Sequence, residues 1–181
     1  AAVVGSIAIA ENGKFYNRLY FVFPSGETKM YDKRHLFSLA GEDEIYTAGD
    51  EKLILEYKGW KICPLICYDL RFPVFARNTE DYDLLLYVAN WPDKRSQAWN
   101  SLLKARAIEN MAYVVGVNRV GEDHDGFAHS GYSQVVDFLG EFTLEPQTGE
   151  GVFEVNLDKK AMEEARKKYD FLSDRDQFEL K

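Results

Sequence analysis

Apolar runs broken by glycine-bearing turns set the rhythm of this chain. Val3 to Ala10 reads as a buried strand, and Glu11-Asn12-Gly13-Lys14 as a turn centred on Asn-Gly. Arg18 to Phe23 predicts a second strand with Leu19, Phe21 and Phe23 on one face. Pro24 to Glu27 is a turn, and Thr28 to Tyr31 returns to extended structure, so the opening is a hairpin or meander. Leu53 to Tyr57 and Trp60 to Ile66 flank Lys58-Gly59 as a further hairpin, which is expected to lie beside the first. Pro73 suits the first turn of a helix running to about Asn78.

Downstream the period changes. Leu84 to Ala89 is continuously apolar, as expected of a strand covered on both faces. Arg95 to Met111 predicts the longest helix, with Trp99, Leu102, Leu103, Ala107 and Met111 on one stripe. Strands are expected at Tyr113 to Asn118 and Ser133 to Phe138. A charged helix follows over Asp158 to Tyr169, with Asp158 as its N-cap. The polar tail DFLSDRDQFELK suits either docking on a partner subunit or a loose terminus. Strands alternating with helices, with hairpins between, predict α/β layers around a mixed sheet, in one domain over residues 1–181.

Composition narrows the function classes. The chain is 46% hydrophobic, enough for a packed core, and carries a formal net charge of −8. That balance, without a basic run, disfavours nucleic acid and an anionic membrane surface as partners. Cys63 and Cys67 lie four apart around one strand end, an awkward geometry for a disulfide, so both are expected to be reduced thiols in a cytoplasmic protein. The apolar residues 1–10 are too few to span a bilayer.

Candidate chemistry gathers at the strand ends. Cys67 stands where the Trp60 to Ile66 strand stops, shortly before Pro73, the place at which α/β proteins hold ligands and nucleophiles. Lys33, in Tyr31-Asp32-Lys33-Arg34-His35-Leu36-Phe37, follows a strand and precedes an apolar pair, so it is expected to point into the fold and to favour a thiolate. Glu42 sits in an acidic loop whose spacing does not single out one carboxylate. Two rivals remain at this level. His35, His124 or His129 would serve a papain-like cysteine hydrolase, and Asp123, His124, Asp125 and His129 would form a metal site unless that glycine-flanked stretch is a mobile polar loop.

Taken together, the lysine segment, Ile66-Cys67-Tyr68-Asp69-Leu70-Arg71-Phe72-Pro73, Ala89-Asn90-Trp91-Pro92, Ala105-Arg106-Ala107-Ile108-Glu109-Asn110 and His129-Ser130-Gly131-Tyr132-Ser133 resemble the nitrilase, or carbon-nitrogen hydrolase, superfamily, and within it the ω-amidase branch. Asn17-Arg18 also fits, while Phe138 stands where relatives usually carry proline. The resemblance implies a four-layer αββα sandwich and a Glu-Lys-Cys triad. By position, Cys67 is the nucleophile, Lys33 the oxyanion-stabilising cation and Glu42 an auxiliary glutamate. The Tyr68 N–H completes the oxyanion hole, and Asn90, Trp91 and Arg71 contact the substrate. The implied reaction releases ammonia from the ω-amide of an α-keto acid such as 2-oxoglutaramate through a thioester, without metal or cofactor. A nitrilase or N-carbamoyl hydrolase would use the same residues. The resemblance also implies a homodimer or larger homo-oligomer, assembled through the helix after Cys67, the helix near Trp99 and the tail. The family's general-base glutamate, in a Pro-Glu motif upstream of Val3, has no match in this sequence. The expectation is therefore a C-terminal portion lacking the first strands and helices, weakly active or inactive alone, or kept for assembly.

Overall fold

The computed structural model describes residues 1–180. Strands β1 (Val3–Glu11), β2 (Lys14–Val22) and β3 (Thr28–Asp32) form an antiparallel meander. A short helix α1 (Glu42–Ile45) follows, then the hairpin β4 (Leu55–Tyr57) and β5 (Trp60–Ile66). After a 3-10 turn over Cys67–Arg71 come α2 (Pro73–Ala76), β6 (Leu84–Ala89), α3 (Ser96–Asn110) and β7 (Tyr113–Asn118). The chain closes with β8 (Val120–Glu122), β9 (Ala128–Val136), β10 (Phe142–Thr148) and α4 (Lys159–Tyr169). The second sheet has the order β10-β9-β7-β6-β5-β4, with β8 paired to β9. Its centre, β5-β6-β7, is parallel and its flanks antiparallel. This is the mixed α/β sheet expected from the alternation of strands, helices and hairpins.

The parallel centre is built from side chains that alternate between two differently covered faces. Cys63, Leu65, Leu85, Tyr87 and Val114 are fully buried in one core with Trp99, Leu103 and Ala107 of α3 and Phe75 and Ala76 of α2. Gly116 permits the close approach of α3: a Cβ there would lie 2.5 Å from Leu103 Cδ1 and 2.8 Å from the Trp99 ring. On the opposite face, Ile62 and Leu55 meet Phe21 of the meander, so the first sheet stacks on the β4–β5 end of the second. Farther along, Tyr113 is covered by Phe138 and by Met162 of α4.

Several expectations need correction. The early hairpins do not lie side by side: β1–β3 face the larger sheet, whereas β4–β5 belong to it, because the buried face of β2 must meet an apolar surface. β6 is fully buried on one face only; Leu86 and Val88 are half-buried, and Val117 beside them on β7 is 48% exposed. The helix at Pro73 ends at Ala76, where Arg77 turns extended and the Asn78 side chain bonds the Tyr82 backbone through both its amide groups. The strand placed at Ser133 to Phe138 begins earlier, at Ala128, and ends at Val136, where Asp137 accepts from the Leu139 and Glu141 N–H groups to form a turn. β8 and β10 carried no clear period; β10 contains Pro146 and pairs through register shifts. The Asp158 N-cap holds, its carboxylate accepting from Ala161 N at 3.0 Å. Lys181, the end of the polar tail, lies outside the described residues.

Candidate active site

Parallel strands direct their C-terminal ends to one side, and β5, β6 and β7 end at Ile66, Ala89 and Asn118. A cleft of about 440 Å³ opens there, lined among others by Asn17, Lys33, Glu42, Cys67, Asn90 and Asn118. Cys67 sits immediately beyond β5 at φ +43°, a left-handed conformation that costs a residue bearing a Cβ about 1–3 kcal/mol. That twist breaks the strand and turns the thiol into the cleft. Its Sγ lies 3.9 Å from the carbonyl oxygen of Asn90, the residue after β6. Burial pushes the thiol above its ordinary range, and the nearby Lys33 ammonium works against that rise.

The cation comes from the meander. Lys33 follows β3, is buried, and donates to Glu42 Oε2 at 2.5 Å. The same oxygen accepts from the Phe37 N–H at 2.7 Å, while Oε1 accepts from Asn17 Nδ2 at 3.0 Å. Burial disfavours the Glu42 charge, but Lys33 and these donors outweigh it and hold the carboxyl below the usual carboxylate range. Glu42 is thereby distinguished from Asp43 and Glu44, which are exposed. The lysine loop is closed by backbone pairs, Lys33 N to Asn17 O at 2.9 Å and Gly49 N to Lys33 O at 3.0 Å.

The remaining wall comes from the loop after β6. The Asn118 side chain clamps it, accepting from Trp91 N at 2.7 Å and donating to Trp91 O at 2.9 Å and Gly131 O at 2.7 Å. Trp91 is buried, with Arg71 stacked over its ring at 5.1 Å. Arg95 lies 4.9 Å from the Phe37 ring. Neither guanidinium has an acidic partner among the described residues, and both line the cleft. Tyr68 also lines it, packed edge-on to Phe72 and tilted against Phe37.

All seven residues singled out from the sequence therefore meet in one cleft. Asn17, Phe37, Arg95 and Asn118 join them without having been assigned a role beforehand. Asn118 had a usable signal, since it ends a strand next to the strand that ends at Ala89, just before Asn90. Phe37 and Arg95 had none, because stacking across two loops leaves no period in the sequence. The histidines are elsewhere. His35 bonds Asp69, buried His129 bonds the Phe127 carbonyl oxygen through Nδ1, and His124 is exposed. No histidine lines the cleft, which removes the geometric basis for a papain-like pair. Among the described residues no group of His, Cys, Asp and Glu is arranged to hold a metal ion, so Asp123, His124, Asp125 and His129 form no such site.

The carbon-nitrogen hydrolase family matches residues 1–167. The chain belongs to that family. It is similar to the omega-amidase YafV of Escherichia coli strain K12, 46% identical over 181 residues that cover 99% of this chain and 71% of the relative. It is also similar to the 2-oxoglutaramate amidase of Bacillus subtilis, 37% identical over 167 residues, covering 91% of this chain and 64% of that one. Among solved structures, XC1258 from Xanthomonas campestris superposes with a TM-score of 0.97 at 44% identity, covering 99% of this chain and 71% of that protein. XC1258 is a carbon-nitrogen hydrolase superfamily protein whose active site carries an arsenic adduct. The present chain is thus an amidase-type carbon-nitrogen hydrolase.

Proposed function

We propose that this hydrolase cleaves the ω-amide of an α-keto acid, with 2-oxoglutaramate as the reference substrate. The observation that carries the reading is the shared cleft of Cys67 and the buried Lys33–Glu42 pair, lined also by the Arg71 and Arg95 guanidiniums, which have no acidic partner among the described residues. The relatives named omega-amidase and 2-oxoglutaramate amidase support the substrate.

In this reading the Cys67 thiolate attacks the amide carbon. The tetrahedral oxyanion is met by the Lys33 ammonium and the Tyr68 N–H. The C–N bond breaks, ammonia leaves with a proton, and water hydrolyses the thioester to regenerate the thiol. Glu42 holds Lys33 in place rather than acting on the substrate, since both its oxygens are already engaged by Asn17, Lys33 and Phe37. Asn90 and Trp91 shape the wall. Arg71 and Arg95 suit the carboxylate end of the substrate, because planar guanidinium donors bind carboxylates in a bidentate manner. No described residue supplies a second carboxylate to the cleft as general base. A missing acid or base typically removes about 10²–10⁴-fold of rate, so slow turnover by this chain alone belongs to the reading.

A cytoplasmic, self-associating protein completes it. The free thiols Cys63 and Cys67 support the compartment, and exposed Val3, Ile7 and Met30 support association. No described helix is long and apolar enough to cross a membrane.

The test is ammonia release from 2-oxoglutaramate, with Cys67→Ala as the blank and Lys33→Ala beside it. Cys67→Ala should abolish release, and Lys33→Ala should lower it by about 10²–10³-fold, the loss expected for one oxyanion donor. Release unchanged in Cys67→Ala would overturn the mechanism. Release from simple neutral amides, with none from 2-oxoglutaramate, would overturn the substrate.

A further inference from the structure

The nucleophile and its cation stand on different sheets, so something must hold them in register. One buried carboxylate touches both supports. Asp69 lies two residues after Cys67 and is fully buried. Its Oδ2 accepts from the Ile66 N–H at 3.0 Å, at the last residue of β5 before the nucleophile. The same oxygen accepts from the Tyr31 hydroxyl at 2.7 Å. Oδ1 accepts from the His35 N–H at 3.0 Å and lies 2.8 Å from His35 Nδ1.

Tyr31 and His35 each lie two residues from Lys33, one before and one after. Burial and the adjacent Asp69 carboxylate push the Tyr31 hydroxyl well above its ordinary range, so it stays a donor. The His35 ring is fixed further by stacking on Phe72 at 3.7 Å, in the segment that follows the nucleophile turn. We propose that Asp69 is a positioning residue that sets Lys33 against Cys67, gripping the lysine segment through Tyr31 and His35 and the nucleophile strand through Ile66. The proposal rests on reading Cys67 and Lys33 as the reacting pair.

Position and charge make opposite predictions here. The groups facing the thiol are Lys33, Glu42, Arg71, Arg95 and Arg119 around the cleft, with Asp69 behind it. Asp69 itself is faced by Tyr31, His35, Cys63 and Tyr87. The Asp69 charge by itself makes the thiolate harder to form. If charge were its whole effect, Asp69→Asn would let Cys67 ionise at lower pH. If Asp69 positions Lys33, the same variant loosens the lysine and Cys67 ionises at higher pH.

The experiment is the pH profile of iodoacetamide alkylation, followed by intact mass, on the whole chain. Cys63 is fully buried, so a single adduct reports Cys67. Lys33→Ala should move the profile to higher pH. Asp69→Asn should move it the same way, with alkylation at neutral pH about tenfold slower, which is one pH unit. The double variant should resemble Lys33→Ala alone. Tyr31→Phe and His35→Ala, which each remove one tether, should give smaller shifts of the same sign and serve if Asp69→Asn fails to fold. A shift to lower pH in Asp69→Asn, or shifts that simply add in the double variant, would overturn the positioning role. An unmoved profile in Lys33→Ala would instead overturn the pairing of Lys33 with the thiol. Substrate turnover is not read, so failure of the amidase reading leaves this test intact.

Discussion

The two sheets supply the two halves of the site under different conditions. The larger sheet buries the inner face of its parallel centre completely beneath α3, with Leu85, Tyr87 and Val114 inaccessible. The meander is sealed on one side only. Leu19, Phe21 and Tyr31 are buried against the larger sheet, while Val3, Ile7 and Met30 on its outer face are 66%, 56% and 58% exposed. Cys67 thus follows a strand buried throughout residues 62–66, whereas Lys33 follows a meander buried on one face only. Stability and reactivity should therefore respond to different residues.

The strongest way to press this contrast is to damage the packed support. Leu85→Ala deletes side-chain atoms from a site with no exposure, and should lower global stability by about 2–5 kcal/mol in chemical denaturation, with thiol and cation lost together. A smaller effect is expected where the meander closes its lysine loop. A Cβ on Gly49 would lie 2.3 Å from the Asp32 carbonyl oxygen, so Gly49→Ala must displace the backbone next to Lys33. We expect a loss of about 1–3 kcal/mol, the scale of overpacking, and slower Cys67 alkylation at neutral pH while near-UV circular dichroism of the larger sheet's aromatics is retained. Equal loss of both signals would mean that the two supports fold as one unit. The smallest stability effect belongs to the outer face. Ile7→Lys should change stability by no more than about 0.5 kcal/mol but reduce self-association in sedimentation, because it breaks an apolar strip on an edge strand.

The packed half was the more legible one. Trp99, Leu103 and Ala107 repeat at helical spacing, and their partners on β5, β6 and β7 are continuous apolar runs, so period alone placed the core. Cys67 was legible because a strand must end before Pro73. Lys33 reads as inward-pointing from its place between a strand and an apolar pair, whereas Glu42 is singled out only as a member of a motif, since in the chain it looks like one of three surface acids and its ion pair with Lys33 leaves no local pattern. β8 and β10 escaped because a three-residue strand and a bulged strand containing proline leave no clean alternation. Asp69 sits in the nucleophile motif without an evident role, since three of its four side-chain contacts reach back more than thirty residues to Tyr31 and His35.

The cleft draws its groups from Ser6 in the first strand through Arg119 just beyond the seventh. No local segment contains a working part of it. Closing such separated pieces costs chain entropy before any contact repays it, so the site should be among the last features to form as the chain folds. A species with the larger sheet assembled and the meander undocked would present the thiol to water without its ammonium. The reactivity of Cys67 is therefore a clock for the final step of folding, and refolding followed by pulsed alkylation would time the docking of one sheet on the other.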